Sequence, residues 1–285
     1  MKRDAKASSS SDVPSATFTL VTATGSGGSG GAAAAATASV ATASPKSTSL
    51  PQPFDTTIGS NFTTGSGCPK FFNFLSDAQF QQCYPFSLLL QTSHQFFEAQ
   101  KSYVRTTIAL DAGCNANFAK CNTYLSGLAS KLLLKENCAA DYAAQNPIVL
   151  QAYTGLITYQ PMYQAGCLKD AKGSYCFASA ITMTNSSLSD AYPYYLPLGT
   201  DMPVGVRPTC GSCLRNTMSI FQSAASNTTQ PASRTYMTAA EQVNVACGPD
   251  YVRASIDFKA SGAGGLRTNL SPWLAILVVF FAVLS

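Results

Sequence analysis

The chain has 285 residues, a net charge of +4 and only 11% charged residues. So small and scattered a charge, with no run of like residues, excludes the basic footprint of a nucleic-acid partner or of an acidic membrane surface. Ten cysteines, all between Cys68 and Cys247, argue against a reduced cytosolic chain, because an even number confined to one region reads as a disulfide framework made in an oxidising compartment. Cys68, Cys83, Cys114, Cys121, Cys138, Cys167, Cys176, Cys210, Cys213 and Cys247 are all assigned to disulfides.

Residues 1–52 make no core. Eighteen of the first fifty are Ser or Thr, and the rest includes Gly25–Gly31 and five consecutive alanines. Such a segment buries too little apolar surface to offset its ordering entropy, which predicts a disordered stalk of the O-glycosylated kind. No apolar run of the roughly seven to fifteen residues that a secretory signal needs follows Met1. The expectation is that the signal lies upstream of Met1 and that Lys2-Arg3 is a processing site.

Residues 53–258 are expected to fold as one Cys-rich, all-α domain. Asn61, Asn185 and Asn227 head N-glycosylation sequons, which belong on exposed loops of secreted chains. Phe71, Phe72, Phe74 and Phe80 predict a short aromatic helix ending near Cys83. Pro85 suits the first turn of the next helix. There Leu89, Phe96, Tyr103 and Leu110 recur every seven residues, flanked by Leu90, Phe97 and Val104, and this predicts one long helix that Asp111-Ala-Gly113 breaks. Cys114, Phe118, Cys121, Leu125, Leu128 and Leu132 then follow a helical spacing of fours and threes. Along a continuous helix Cys114 and Cys121 would lie roughly 10 Å apart, too far for a disulfide, whose Cα atoms sit within about 7 Å. Each must therefore reach another segment.

Asn146-Pro147 reads as a cap and first position for a helix that buries Val149, Tyr153, Leu156 and Ile157, and Pro161 is expected to end or kink it. Cys167 and Cys176 flank a short polar turn containing Gly173, so a Cys167–Cys176 disulfide is expected. The prolines of Tyr192-Pro-Tyr-Tyr-Leu-Pro197 predict an extended aromatic connector. Cys210-Gly-Ser-Cys213 opens a helix carrying Leu214, Met218 and Phe221. A last helix over Thr235–Ala246 stops at Cys247-Gly248-Pro249.

Residues 259–285 read as a GPI-attachment signal: small residues, a polar spacer and a terminal apolar tail, Trp273–Leu284. Ser261, Gly262 and Ala263 are the candidate attachment residues. The expected partner is the membrane, through the GPI lipid. The alternative, a single C-terminal membrane helix, needs roughly twenty apolar residues, more than this run supplies.

Candidate chemistry is sparse. Cys210-Gly-Ser-Cys213 has the spacing of a thioredoxin-type redox pair, but no βαβ pattern precedes it, so a structural role is expected. His94 is the single histidine, and Ser-His-Asp catalysis would have to use it, with Ser93 too close in sequence to be its partner. Glu98, Asp111, Asp141, Asp201 and Glu241 could in principle supply the two acids of glycoside hydrolysis, though no spacing selects a pair. Tyr192, Tyr194 and Tyr195 could stack on sugar rings, against the alternative that they are core. No cofactor, metal site or phosphate loop is expected.

Phe54–Asn61, Pro85–Gln91, Tyr159–Cys167, Tyr192–Gly199 and Arg207–Leu214 together resemble a family of ascomycete cell-surface proteins with a domain of unknown function, over about Pro53 to Tyr251. The resemblance implies a secreted Cys-rich domain behind a Ser/Thr-rich stalk and before a GPI tail, with no catalytic residue to carry over. The small fungal haem-binding domain with eight cysteines is excluded by its much shorter cysteine span. The expected function is that of a GPI-anchored wall or surface glycoprotein with a structural or adhesive role and cell-wall glycans as partners. The alternatives are a wall-polysaccharide-remodelling enzyme and a small-ligand-binding surface domain.

Overall fold

The computed structural model describes residues 49–182 and 188–258, apart from Thr57 and Ser60. The expected stalk (all but its last four residues), Asn185, and the attachment signal with Ser261, Gly262 and Ala263 lie outside the described residues. Within them the chain is all-α, with five disulfides, no strand, and one isolated bridge between Lys169 and Tyr175.

In chain order the helices are α1 (Cys68–Phe71), α2 (Ala78–Cys83), α3 (Phe86–Thr92), α4 (His94–Ala99), α5 (Tyr103–Cys114), α6 (Phe118–Leu132), α7 (Ala139–Ala143), α8 (Pro147–Ile157), α9 (Tyr159–Gly166), α10 (Cys176–Thr182), α11 (Ser212–Ala225) and α12 (Ala232–Cys247). Three 3-10 turns, Phe72–Ser76, Leu188–Asp190 and Tyr192–Leu198, complete the set. The aromatic helix expected over Phe71–Cys83 is thus α1, a 3-10 turn and α2.

The long helix expected through Leu89, Phe96, Tyr103 and Leu110 is three helices, α3 to α5. The cause is side-chain competition for backbone N–H groups. Ser93 Oγ accepts from Phe96 N at 3.0 Å and caps α4, and Ser102 Oγ accepts from Arg105 N and caps α5. Asp55, far back in sequence, accepts from Ser93 Oγ (2.7 Å), His94 N (2.8 Å) and Gln95 N (2.7 Å). The break re-aims the following residues, so Phe97 is 58% and Val104 64% exposed instead of buried. The stop expected at Asp111–Gly113 does not occur, since α5 continues to Cys114.

The Cys114–Leu132 stripe is likewise divided, because Asn117 Oδ1 accepts from Lys120 N at 3.0 Å and starts α6 afresh. Asn146 caps α8 with Pro147 in the first turn, as expected. The chain then breaks at Thr158, before Pro161, which sits in the first turn of α9, where its missing N–H costs nothing. Tyr192–Leu198 is a 3-10 helix and not an extended connector. Its i→i+3 bonds, such as Gly199 N to Leu196 O at 3.0 Å, need no N–H from Pro193 or Pro197.

The disulfides are Cys68–Cys138, Cys83–Cys121, Cys114–Cys167, Cys176–Cys213 and Cys210–Cys247, and no cysteine is free. The expected Cys167–Cys176 bond is therefore incorrect. The turn between them is already closed by hydrogen bonds: Cys176 N donates to Leu168 O, and Asp170 Oδ1 accepts from Lys172 N and Ser174 N. Cys167 then faces α5, while Cys176 opens α10 and faces α11.

The buried side chains form two clusters. One gathers Leu125, Leu128 and Leu132 of α6 with Val149, Ala152 and Leu156 of α8 and the phenylalanines of the 72–80 region. The other gathers Met218 and Phe221 of α11, Tyr236 and Ala240 of α12, and Phe96 and Phe177. Helix α3 belongs to both, since Leu88 faces the first cluster while Leu89 and Leu90 face the second. Among the described residues no helix is long and apolar enough to cross a membrane.

Candidate functional site

The Cys210-Gly-Ser-Cys213 segment sits at the start of α11, but its two sulfurs leave in different directions, to Cys247 and Cys176. It is therefore a junction of two disulfides and not a dithiol pair. Gly211 is clamped between them, its N–H donating to the Tyr251 hydroxyl (2.7 Å), which in turn donates to Gly211 O (2.5 Å). Beside this junction opens a cavity of about 340 Å³, walled by the Cys176–Cys213 bridge, Pro193, Tyr194, Pro208 and Leu214.

The cavity is mostly apolar, with a few polar groups at its edge. Tyr194 is buried between Phe177 (ring centroids 4.8 Å apart) and Phe221 (6.3 Å). Burial pushes its phenol up to about 12, so it stays neutral and serves as a hydrogen-bonding group, paired with the Thr217 hydroxyl at 3.4 Å. Asp170 and Asp190 also line the cavity. Both carboxylates are engaged by backbone N–H groups, Asp170 within its own turn and Asp190 by Thr209 N. Tyr192 and Tyr195 are half-buried on the same 3-10 turn. Of the two alternatives for these tyrosines, core packing holds for Tyr194, while Tyr192 and Tyr195 keep part of their surface in solvent.

The five carboxylates named from the sequence occupy separate environments. Glu98 pairs with Lys101 at 2.6 Å. Asp111 accepts from the Tyr175 hydroxyl at 2.7 Å. Asp201 and Glu241 are exposed. Asp141 is buried and accepts from Thr63 N at 2.6 Å. Burial pushes the Asp141 carboxyl up, but the Thr63 N–H and the Ser66 and Thr63 side chains favour the anion more, and the net direction is below the ordinary value.

Ser93, His94 and Asp55 do meet, which sequence spacing did not signal because Asp55 lies 39 residues before His94. Their connectivity is not that of a triad. The carboxylate holds the Ser93 hydroxyl and the His94 main-chain N–H, whereas in a triad it would orient the imidazole. The imidazole is exposed and lies along Phe97, centroids 6.4 Å apart and planes 28° from parallel.

A family model matches residues 49–256. The chain belongs to the DUF7729 family, a domain of unknown function. No curated protein and no solved structure matches it. The DUF7729 match spans all ten cysteines and both of the described sequons, Asn61 and Asn227, whose asparagines are exposed. Five disulfides mark this DUF7729 chain as one made outside the reducing cytosol.

Proposed function

We propose that this DUF7729 chain is a GPI-anchored fungal cell-surface glycoprotein with a structural or adhesive role. The observation that carries the reading is the staple pattern: every cysteine is paired, and the five bridges tie α1, α2, α5, α10 and the loop before α11 to distant partners. Such cross-linking suits a module that must hold its shape outside the cell, where no chaperone or reductant renews it. Exposed Asn61 and Asn227 support glycosylation, and the small residues Ser261, Gly262 and Ala263 before the apolar tail support lipid attachment.

The test is release from intact cells by phosphatidylinositol-specific phospholipase C, followed by blotting of cell-bound and soluble chain. The lipidated chain moves to the medium, and replacing Ser261, Gly262 and Ala263 with Leu abolishes its surface display. A chain that stays in the membrane after complete enzyme treatment overturns the GPI reading in favour of a membrane helix.

The cavity of about 340 Å³ favours a second reading, a binder of a small apolar ligand. Native mass spectrometry of the secreted chain checks it, because a bound ligand appears as a discrete added mass that Leu214→Trp removes.

A further inference from the structure

We propose that the groove between Phe54, Thr56 and Ile58, the α3–α4 junction and α8 binds a neutral oligosaccharide, with Phe97 and His94 as its stacking platform. This rests on the surface-adhesion reading and supplies it with a site and a ligand class. The groove encloses about 390 Å³, within the range of about 300–1,000 Å³ typical of ligand sites.

Phe54, Ile58 and Ile148 give it an apolar lining. Phe97 also lines it and keeps 58% of its surface in solvent, with the His94 ring 6.4 Å away and near-parallel. Lys101 Nζ lies over one face of Phe97 at 5.3 Å from its centre, and an exposed aromatic ring at a groove suits the C–H groups of a pyranose, the complement of a negative ring face. The platform is fixed before any ligand arrives, because Asp55 holds Ser93, His94 and Gln95 with three hydrogen bonds and Thr92 Oγ1 receives Phe54 N at 3.2 Å. A pre-ordered site loses little entropy on binding.

Polarity decides the ligand class. Gln151 lines the groove with an exposed side-chain amide, and Gln91 lines it with an amide whose Nε2 donates to Ser87 O at 3.4 Å and whose Oε1 remains to accept. An amide both donates and accepts, which suits hydroxyl groups. Among the described residues no Asp, Glu, Lys or Arg lines the groove. Of the carboxylates around it, Asp55 is consumed by its three bonds and Glu98 pairs with Lys101 at 2.6 Å. A phosphorylated or acidic ligand finds no Lys or Arg among the described lining residues, and a wholly apolar one leaves the Gln151 amide unmatched.

The experiment uses the full-length chain made in a secretory eukaryotic host and titrated calorimetrically with three hexasaccharides, of β-1,3-glucan, chitin and mannan, plus oligogalacturonate as a charged control. At least one neutral hexasaccharide binds and the charged control does not. Phe97→Ala weakens binding at least tenfold and Gln151→Ala several-fold, while Val204→Ala, on a remote loop and 96% exposed, leaves it unchanged. Both groove variants melt like the parent, since their side chains stand largely in solvent. The proposal is overturned if no hexasaccharide binds, if binding survives Phe97→Ala, or if Phe97→Ala instead dissolves a dimer of the chain. Phospholipase release without sugar binding removes the groove and leaves the anchor, and sugar binding without release does the reverse.

Discussion

The core around Leu125 and Leu132 and the core around Met218 and Phe221 each carry two disulfides, yet they are assembled differently. The first draws all its buried members from residues 68–159. The second combines residues 84–110 with residues 162–252, so it closes only when two separated stretches of chain meet. Its staples, Cys176–Cys213 and Cys210–Cys247, each span 37 residues and lie within the later stretch. The meeting itself is secured by Cys114–Cys167 and by α3, whose Leu88 faces one core and whose Leu89 faces the other. Contacts distant in sequence cost more loop-closure entropy before they contribute. The local core can therefore form first and offer α3 as the surface on which the second is built.

Cutting staples is the strongest way to break this comparison. Cys68–Cys138 closes a separation of 70 residues, and removing such a constraint costs about 4 kcal/mol in the chain-entropy account. Cys68→Ser with Cys138→Ser is expected to lower amide protection in both cores, because the second depends on the first. Cys210→Ser with Cys247→Ser costs a similar amount but loosens α11, α12 and the second core alone. Hydrogen exchange read helix by helix checks this, and equal losses across both cores in both variants would show that they fold as one.

The two glycines that flank α3 sharpen it further. A Cβ at Gly155 of α8 would lie 2.2 Å from Leu88 Cδ2, beneath the Ser87 hydroxyl that donates to Gly155 O at 2.6 Å. A Cβ at Gly166 of α9 would lie 2.7 Å from Phe86 Cδ1. Overpacking of this kind costs about 1–3 kcal/mol, with Gly155→Ala expected at the upper end and Gly166→Ala below it. Urea denaturation checks the order. Gly155→Ala should perturb the first core most and Gly166→Ala the second.

Acid supplies the smallest and most selective probe. The Asp141 carboxyl, on the side of the first core, titrates below its ordinary value in the folded state. A depressed carboxyl stabilises the fold fully above its unfolded pKa, near 3.9, and that contribution is lost as pH falls through the folded value. Melting temperatures between pH 7 and pH 2 should fall less steeply in Asp141→Asn than in the parent. Identical slopes would show that Thr63 and Asp141 are not coupled.

What could be read from the sequence was local. Asn146-Pro147 starts a helix because a cap and a fixed φ act within one turn, and Cys247-Gly248-Pro249 ends one for the same reason. The Leu214, Met218, Phe221 spacing is a buried face because helical geometry needs only near neighbours. The even, confined cysteines gave the disulfide framework, and helical spacing without any lasting strand alternation gave the all-α class. Which cysteines pair was settled by the tertiary structure, since short-loop closure favoured Cys167–Cys176 while hydrogen bonds around Asp170 already closed that turn. The tertiary structure also decided where helices stop. A carboxylate at Asp55, brought in from 38 residues before Ser93, ended what periodicity read as one continuous helix. That break turned Phe97 out of the core and into the groove, because a long-range hydrogen bond outweighed the local preference to continue.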